Sequence, residues 1–291
     1  MEHQLWRGIL AVLKSIHKPR RRTDERFSCE EIARVWFWAV LHDRPVSWAI
    51  QAVNWPLHER RHPLPSSSTM SRRLRSPEVQ ALIRAVEESV CRPAAGEHLV
   101  WLIDGKPLTV SGVSKDQQAG YGRASRGNAK GYKLHVIHGI DGSVVAWRIA
   151  PMNKDERVMA RRLVRNADIQ GYLLADGNYD SNALHEVCRQ RQVQLIAPLR
   201  GGSCPKRRKR QDAGRQRAQE LLENPISDFG RALHKHRSAI ERCFGNLTNW
   251  GGGLTHLPPW VRTHARVHRW VQAKLIFNAI KRGTKRTYVT A

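Results

Sequence analysis

Two short apolar segments that each end in an Asp-Gly pair constrain the fold more than any other feature of the chain. The first, residues 98–106, reads HLVWLIDGK, and the second, residues 171–180, reads GYLLADGNYD. A short apolar run that ends in Asp-Gly is typical of a buried strand with an acid at its carboxyl end. An Asp-Gly pair alone also marks an ordinary turn. The repetition of the pattern favours a functional role for Asp104 and Asp176.

The two aspartates are candidates for a shared metal site. Open sheets that carry helices bind ligands outside the carboxyl ends of their strands, so two such strands would place Asp104 and Asp176 side by side. A buried carboxylate is costly without compensation, and two like charges at close range repel each other. A divalent cation between them would offset both effects. We therefore predict that both side chains bind a metal ion.

The charge of the chain favours a polyanionic partner. Its 291 residues include 50 Lys and Arg against 25 Asp and Glu, which gives a formal net charge of +25. Nucleic acid is the commonest partner of so basic a protein. A membrane surface is disfavoured, because we find no long apolar segment, signal peptide or strongly basic amphipathic helix. The five scattered cysteines never form a CxxC pair, which indicates reduced thiols in a cytosolic protein.

The first 97 residues are predicted to be helical and to bind DNA. Residues 66–75, which read SSSTMSRRLR, combine a hydroxyl-rich helix start with arginines. A recognition helix requires such donors for phosphates and base edges. We take Ser68, Arg72 and Arg73 as candidate DNA contacts. The alternative interpretation is a helical bundle with a basic surface.

Three further segments are rich in Lys and Arg and poor in apolar residues. They are residues 18–22, 111–131 and 199–217. We predict that the second is a mobile basic loop beside the first aspartate. The third contains the candidate DNA contacts Lys206, Arg207, Arg208, Lys209 and Arg210. Because such runs are usually solvated, the third segment is equally compatible with a linker and with a strap that binds nucleic acid.

The middle of the chain predicts a mixed sheet. Residues 133–140 alternate as a strand, the Asp-Gly pair at 141–142 is a hairpin signal, and residues 144–150 return as the partner strand. A helix then opens at Asp155, whose charge suits a helix N-terminus. With the second Asp-Gly strand, its helix and residues 193–197, the order is strand, strand, strand, helix, strand, helix, strand. This order gives a mixed five-stranded sheet with helices packed on it.

A late helix carries a third acidic candidate. A long helix is predicted from Asp228, and Arg237 and Glu241 stand four residues apart on one of its faces. In one interpretation they form a helical ion pair worth roughly 0.2–0.5 kcal/mol. In the other, Glu241 turns toward the paired aspartates as a third acid.

Four segments together resemble the catalytic domain of DDE transposases from bacterial insertion sequences. They read WLIDGKPL, KLHVIHGIDGSVVAWRIAPMNKDE, LADGNYDSNALHE and RSAIERCFGNL, and the resemblance covers residues 98–282. It implies a ribonuclease H-like fold with one Asp on the central strand, a second after the fourth strand and a Glu on a late helix. Matched motif by motif, these acids are Asp104, Asp176 and Glu241. Arg237 matches the arginine that precedes the glutamate by four residues.

The chain departs from part of that family at two positions. His234 and Thr248 stand where those relatives have a tyrosine before the arginine and a lysine after the glutamate. The missing lysine would contact DNA ends. We expect Lys106 or Arg242 to take its place.

The resemblance implies an α/β chain with two regions and one enzymatic activity. A helical DNA-binding region at 1–97 would precede a ribonuclease H-like catalytic domain at 98–291, with a basic insertion near 199–227 and a C-terminal helix. The expected activity is that of a DDE transposase, which hydrolyses a phosphodiester at the element end and then transfers the strand into target DNA by transesterification. The three matched acids would hold two Mg²⁺ ions, and Mn²⁺ would substitute.

The expected partners follow from that activity. They are double-stranded DNA, as element terminal repeats and as target, and a second copy of the chain that forms a homodimer on paired DNA ends. The expected location is the bacterial cytoplasm at the nucleoid. The alternatives are a non-catalytic DNA-binding transposase relic and a general metal-dependent nuclease of the same fold. A complete set of three acids argues against a relic, which has no need of three buried charges.

Overall fold

The chain folds into two compact units. One comprises Met1–Arg92, Asn249–Leu254 and Arg269–Ala291, and the other comprises Pro93–Thr248 and Thr255–His268. The computed structural model describes residues 1–17, 25–60, 63–91, 98–124, 127–199, 211–248, 253–254 and 256–289. The basic segment 18–22 and the candidate contacts Lys206, Arg207, Arg208, Lys209 and Arg210 lie outside the described residues. Within the described ranges, no helix combines the length and the apolar character that a bilayer crossing requires.

The first unit is helical, which confirms the prediction for the N-terminal region. Its first helices are α1 (Glu2–Ser15), α2 (Cys29–Leu41), α3 (Val46–Ala49), α4 (Ser67–Arg73) and α5 (Pro77–Cys91). α2 begins with a capping box, in which the Glu31 amide donates to Ser28 Oγ at 3.2 Å and the Ser28 amide donates to the Glu31 carboxylate at 2.8 Å. Because α2 is buried along almost its whole length, it forms the centre of this unit's core.

The last helix, α11 (His264–Val289), belongs to the first unit from Arg269 onwards. Trp270 packs edge-on against Trp36 of α2. Lys274 is 0% exposed, and its ammonium donates to a carbonyl oxygen of α2 at 3.0 Å. The predicted boundary, which assigned this helix to the 98–291 domain, therefore differs from the structure. The reason is that the apolar side chains of α11 are buried against the N-terminal helices.

The second unit is built on a mixed sheet. Its strands are β1 (Val100–Thr109), β2 (Gly120–Ala124), β3 (Gly127–Gly139), β4 (Val144–Pro151), β5 (Gly171–Leu174) and β6 (Val193–Ile196). Across the sheet the order is β4, β3, β1, β5, β6, and β2 pairs with the first residues of β3. β3 is antiparallel to β1 and β4, whereas β1, β5 and β6 are parallel. The predicted ribonuclease H-like α/β sheet is confirmed, with β2 as an additional strand.

The strand β2 shows that the prediction of a mobile loop over residues 111–131 was wrong. β2 pairs with β3 along its length. A Cβ added at Gly122 would lie 2.5 Å from the Met152 carbonyl oxygen, so the two backbones approach each other closely. Pairing between glycine-rich backbones needs no alternation of apolar side chains, which is the signal that strand prediction depends on. This strand therefore left no pattern in the sequence.

Helices cover both faces of the sheet. The helices after β4 are α6 (Glu156–Asn166), α7 (Asn182–Gln190), α8 (Ala213–Glu223), α9 (Phe229–Lys235) and α10 (Ala239–Thr248). α6 and α7 pack on the face that carries Trp101 and Ile103. α8, α9 and α10 pack on the opposite face, around Leu102 and Leu174. Alternate residues of β1 thus meet different helical layers.

Two predictions about the chain after residue 198 were wrong. The basic composition of residues 199–217 predicts an exposed loop, but in the part of that segment that the structure describes after the gap, 211–217, α8 begins at Ala213. One reason is that Arg215 is used inside the fold, where it forms an ion pair with the buried Asp180 at 2.5 Å. The single long helix predicted from Asp228 is interrupted by a 3-10 turn between α9 and α10.

Candidate active site

Asp104 lies within β1 rather than at its end. β3 pairs with β1 from Trp101 to Thr109, so the strand continues past the acid. The parallel pairing with β5 stops earlier, at Leu102. Asp104 therefore lies two residues beyond the last pair between β1 and β5. The prediction that the strand ends at Asp104 is correct for the pairing with β5 and wrong for the pairing with β3. The Gly105 amide donates to Asp104 Oδ1 at 2.7 Å.

The surroundings of Asp104 favour its protonated form. Burial, more than any other influence, raises the pKa of its carboxyl from 3.8 to about 6. The carboxylates of Asp176 and Glu156 contribute to this rise, whereas the Gly105 amide and the Arg237 guanidinium oppose it. A cation at this position would favour the ionised form instead.

Asp176 lies just after the end of β5, the strand that pairs with β1 in parallel. Leu102 and Leu174 are paired in register, and each aspartate follows two residues later in its segment. Asp176 caps the short 3-10 turn after β5, where its Oδ1 accepts from the Asn178 amide at 2.8 Å. The structure thus brings the two predicted aspartates together.

Glu241 lies in the first turn of α10, and its side chain is exposed. α10 packs on the face of the sheet that carries Leu102, which is also the face of Asp104. Among the residues that the structure describes, no three carboxylate, imidazole or thiolate groups are arranged to hold a metal ion. In this structure Glu241 is therefore not part of a coordinating group with the two aspartates.

The region before α10 also differs from a continuous helix. Arg237 lies in the 3-10 turn His236–Ser238, so the unbroken helix required by a pairing with Glu241 is interrupted between them. Burial raises the pKa of Asp104 most, and the Arg237 guanidinium has the smallest of the named influences, which lowers it. A role for Arg237 at the aspartates stays a prediction.

His234 contacts the backbone next to the second aspartate. Its Nε2 lies 3.1 Å from the carbonyl oxygen of Ala175, the residue before Asp176. His234 stands where some family members have a tyrosine, and here it joins α9 to the end of β5. This contact holds the chain where Asp176 begins its turn.

The structure adds one carboxylate that the sequence pattern did not single out. Glu156 lies in the first turn of α6 and forms an ion pair with Lys133 of β3. The sequence predicts a charge at a helix N-terminus here, and Asp155 has that role, since its carboxylate accepts from the Arg157 amide at 2.8 Å. The side chain of Glu156 points toward β3 instead of capping the helix. The positions of residues in the sequence do not predict that direction.

The candidate DNA contacts of the second unit lie near α10. Lys106 is partly buried, with its ammonium 5.7 Å from the centre of the Phe244 ring. Arg242 is exposed on α10. Thr248, at the position of the missing lysine, donates its hydroxyl to the Phe244 carbonyl oxygen at 2.8 Å. Lys106 and Arg242 thus stay the candidates to replace that lysine.

The candidate DNA contacts of the first unit differ in exposure. Ser68 and Arg72 of α4 are exposed. Arg73 is 6% exposed, where it forms an ion pair with Glu25 and donates to Cys29 Sγ at 3.3 Å. A buried guanidinium with these partners stabilises the helical unit. We therefore correct the assignment of Arg73 to DNA binding.

A ribonuclease H-like sheet, with one aspartate on β1 and a second just after the neighbouring β5, defines the structural class of the second unit. A family model described as "Transposase DDE domain" matches residues 95–275, more than half of the chain. The chain belongs to the transposase DDE domain family, as its resemblance to DDE transposases implied.

One solved structure has low similarity to this chain. A solved structure described as a cryo-EM structure of a simian T-cell lymphotropic virus intasome in complex with PP2A regulatory subunit B56 gamma is similar at 13% identity and a TM-score of 0.23. The match covers 67% of this chain and 66% of that chain, just under two thirds of its length. No match was found among curated proteins.

Proposed function

We propose that this protein is a transposase that cleaves DNA at the ends of a mobile element and transfers the freed strand into target DNA. Membership of the transposase DDE domain family supports the general activity. The observation that carries the proposal is that Asp104 and Asp176 each follow, by two residues, the last pair between the parallel strands β1 and β5. Paired carboxylates of this kind suit metal-assisted phosphoryl transfer.

The donor set fits a divalent cation. Burial and the neighbouring Asp176 raise the pKa of Asp104, so an ion between the two carboxylates would relieve their repulsion. Carboxylate oxygens are hard ligands that suit Mg²⁺ and Mn²⁺. Asp104 and Asp176, with Glu241 after a movement of its side chain or of α10, would hold two such ions. When bound, the ions would polarise the phosphodiester and assist ionisation of the attacking oxygen.

Two cations of the chain are the proposed ligands of the reacting phosphate. The Arg237 guanidinium already acts on the charge of Asp104, and its planar donors suit phosphate oxygens. Lys106 lies two residues after Asp104 on β1, where burial lowers the pKa of its ammonium. Both side chains would orient a phosphodiester beside the acids.

A basic groove along β4 offers a surface for the DNA backbone. Its volume is about 790 Å³, and its lining includes Arg148, Lys154 and Arg162 beside the aromatic rings of Trp147 and His268. Binding to phosphates releases counterions, so affinity should fall steeply as salt concentration rises. Double-stranded DNA is the proposed partner, and paired element ends are the proposed setting for a homodimer.

The proposed function is tested by removing each acid while keeping its shape. Asp104→Asn, Asp176→Asn and Glu241→Gln should each lower Mg²⁺-dependent nicking of supercoiled DNA by at least about 10³-fold, because several kcal/mol of transition-state stabilisation would be lost. Gel-shift affinity for the same DNA should change by less than about threefold. Asp168→Asn, an exposed aspartate before β5, is the matched control and should cleave normally.

The outcomes separate the competing functions. Any acid variant that keeps Mg²⁺-dependent cleavage removes that residue from the site. DNA binding without cleavage by the wild-type protein would favour a non-catalytic relic. Cleavage without strand joining would favour a general nuclease.

A further inference from the structure

Two glutamates lie on helices that pack on opposite faces of the sheet that carries Asp104. Glu241 lies on α10, whose apolar residues pack with Leu102. Glu156 lies on α6, whose apolar residues pack with Trp101 and Ile103 on the other face. The family resemblance concerns Glu241 alone, so the position of Glu156 needs a separate explanation.

The carboxylate of Glu156 reaches the backbone next to the first aspartate. A Cβ built on Gly105 would lie 3.5 Å from Glu156 Oε1 and 2.8 Å from Lys133 Cδ. Because Gly105 has no side chain, the side chains of Glu156 and Lys133 can occupy the space beside it on β1. α6 also packs against the 3-10 turn that follows Asp176. Glu156 is thus placed beside both Asp-Gly segments.

An unpaired hydroxyl lies in the same place. Tyr179, at the end of the turn after Asp176, is 1% exposed, and its hydroxyl has no hydrogen-bond partner among the described residues. Burial raises the pKa of that hydroxyl most, and the carboxylates of Glu156, Asp104 and Asp176 raise it as well. A buried hydroxyl without a partner costs about 1–3 kcal/mol. Its position beside three acids points to a ligand, such as a cation with its bound water, that would accept its proton in a hydrogen bond.

We propose that Glu156 is a further carboxylate ligand of the divalent cation site, oriented by Lys133, and that the Tyr179 hydroxyl donates to that ligand shell. The inference rests on the proposed function, since it adds a residue to the same site. Carboxylates that bind metals are usually held by a hydrogen-bonding partner, and Lys133 has that role through Glu156 Oε1. The side chain of Glu156 is 24% exposed, so it has room to rotate toward an ion held by the aspartates.

The inference is tested by Mn²⁺ titration of the full chain without DNA, with free Mn²⁺ measured by electron paramagnetic resonance. Glu156→Gln should weaken Mn²⁺ binding at least about tenfold. Asp155→Asn removes the same charge one residue earlier and keeps the helix cap, so it should bind Mn²⁺ as the wild-type protein does. Tyr179→Phe should weaken binding by a smaller factor.

The result also distinguishes this inference from the proposed function. If Asp104→Asn abolishes Mn²⁺ binding while Glu156→Gln binds normally, Glu156 is not a ligand and the proposed function stands. If Asp104→Asn binds Mn²⁺ normally as well, the metal site itself is wrong. Should Glu156→Gln fail to fold by circular dichroism, Glu156→Asp takes its place: it keeps the charge but shortens the reach. Unchanged Mn²⁺ affinity in that variant would likewise overturn the inference.

Discussion

The two Asp-Gly segments are nearly alike in sequence and differ in structure. At the first, β3 continues to pair with β1 beyond Asp104, so the acid is part of an extended strand. At the second, β5 ends at Leu174 and the chain turns at once, with Asp176 as the cap of a 3-10 turn. The dipeptide permits either conformation, and the partner strand decides between them. Local sequence therefore placed both acids but did not set their environments.

The largest expected difference between the two Asp-Gly segments concerns the charge of Asp104. Its pKa is about 6 in the folded chain, above the ordinary value of 3.8. Because the folded state holds this proton more tightly, stability falls as pH rises from 3.8 to 6 and stays lower above that range. In metal-free buffer at pH 8, Asp104→Asn should raise the free energy of unfolding by at most about 3 kcal/mol. Denaturation by urea at pH 4 and pH 8 measures this change.

The matched variant at the other end should behave differently. Asparagine caps a turn about as well as aspartate, so Asp176→Asn should change the free energy of unfolding by less than about 0.5 kcal/mol at both pH values. The stabilisation by Asp104→Asn should shrink to about 0.5 kcal/mol near pH 4, where the folded chain holds the carboxyl protonated and the unfolded chain is about half ionised. Equal effects of the two variants on the free energy of unfolding at pH 8 would show that the two aspartates do not differ in environment.

A smaller effect is expected at the glycine after the first aspartate. A Cβ at Gly105 would lie 2.8 Å from Lys133 Cδ, so Gly105→Ala must displace the ion pair between Lys133 and Glu156. We expect a loss of about 1–2 kcal/mol in stability, measured by urea denaturation, together with weaker Mn²⁺ binding. Gly112→Ala is the matched control, because a Cβ there meets no atom within 4 Å. Wild-type Mn²⁺ affinity in Gly105→Ala would weaken the proposed role of Glu156.

The smallest expected effect concerns the backbone of the second Asp-Gly segment. His234→Phe keeps the ring but removes the contact with the Ala175 carbonyl oxygen, at a cost of about 0.5–1.5 kcal/mol. Because that contact adjoins Asp176, cleavage should fall modestly while DNA binding is kept. His236→Phe changes an exposed histidine nearby and serves as the control. Equal thermal stability of the two variants would show that the contact does not hold this end of β5.

Much of the fold could be predicted because its signals are local. The strand order, the turn at Asp141 and the cap at Asp155 follow from apolar periodicity and turn chemistry. The predictions that were wrong concern β2 and α8, where glycines and arginines gave no apolar pattern. In each case backbone pairing or an internal ion pair stabilises the element, and neither depends on a periodic sequence.

The candidate site shows the same division. Asp104 and Asp176 could be found because each follows an apolar run, whereas Arg73 and Glu156 could not be interpreted correctly. Arg73 belongs to an arginine-rich segment yet is buried against Glu25. Glu156 resembles a helix-start charge yet pairs with Lys133 on a neighbouring strand. The ion-pair partner of a long charged side chain depends on which helix or strand packs beside it.

By itself the sequence determined that two apolar strands carry acids at adjoining positions, since runs of apolar residues and Asp-Gly pairs act within a few residues. Only the tertiary structure decided that one acid is held inside a strand, that the other caps a turn, and that Glu156 lies beside them. Strand register, burial and ion pairing join residues that are distant along the chain, so their energies are set by packing rather than by local composition.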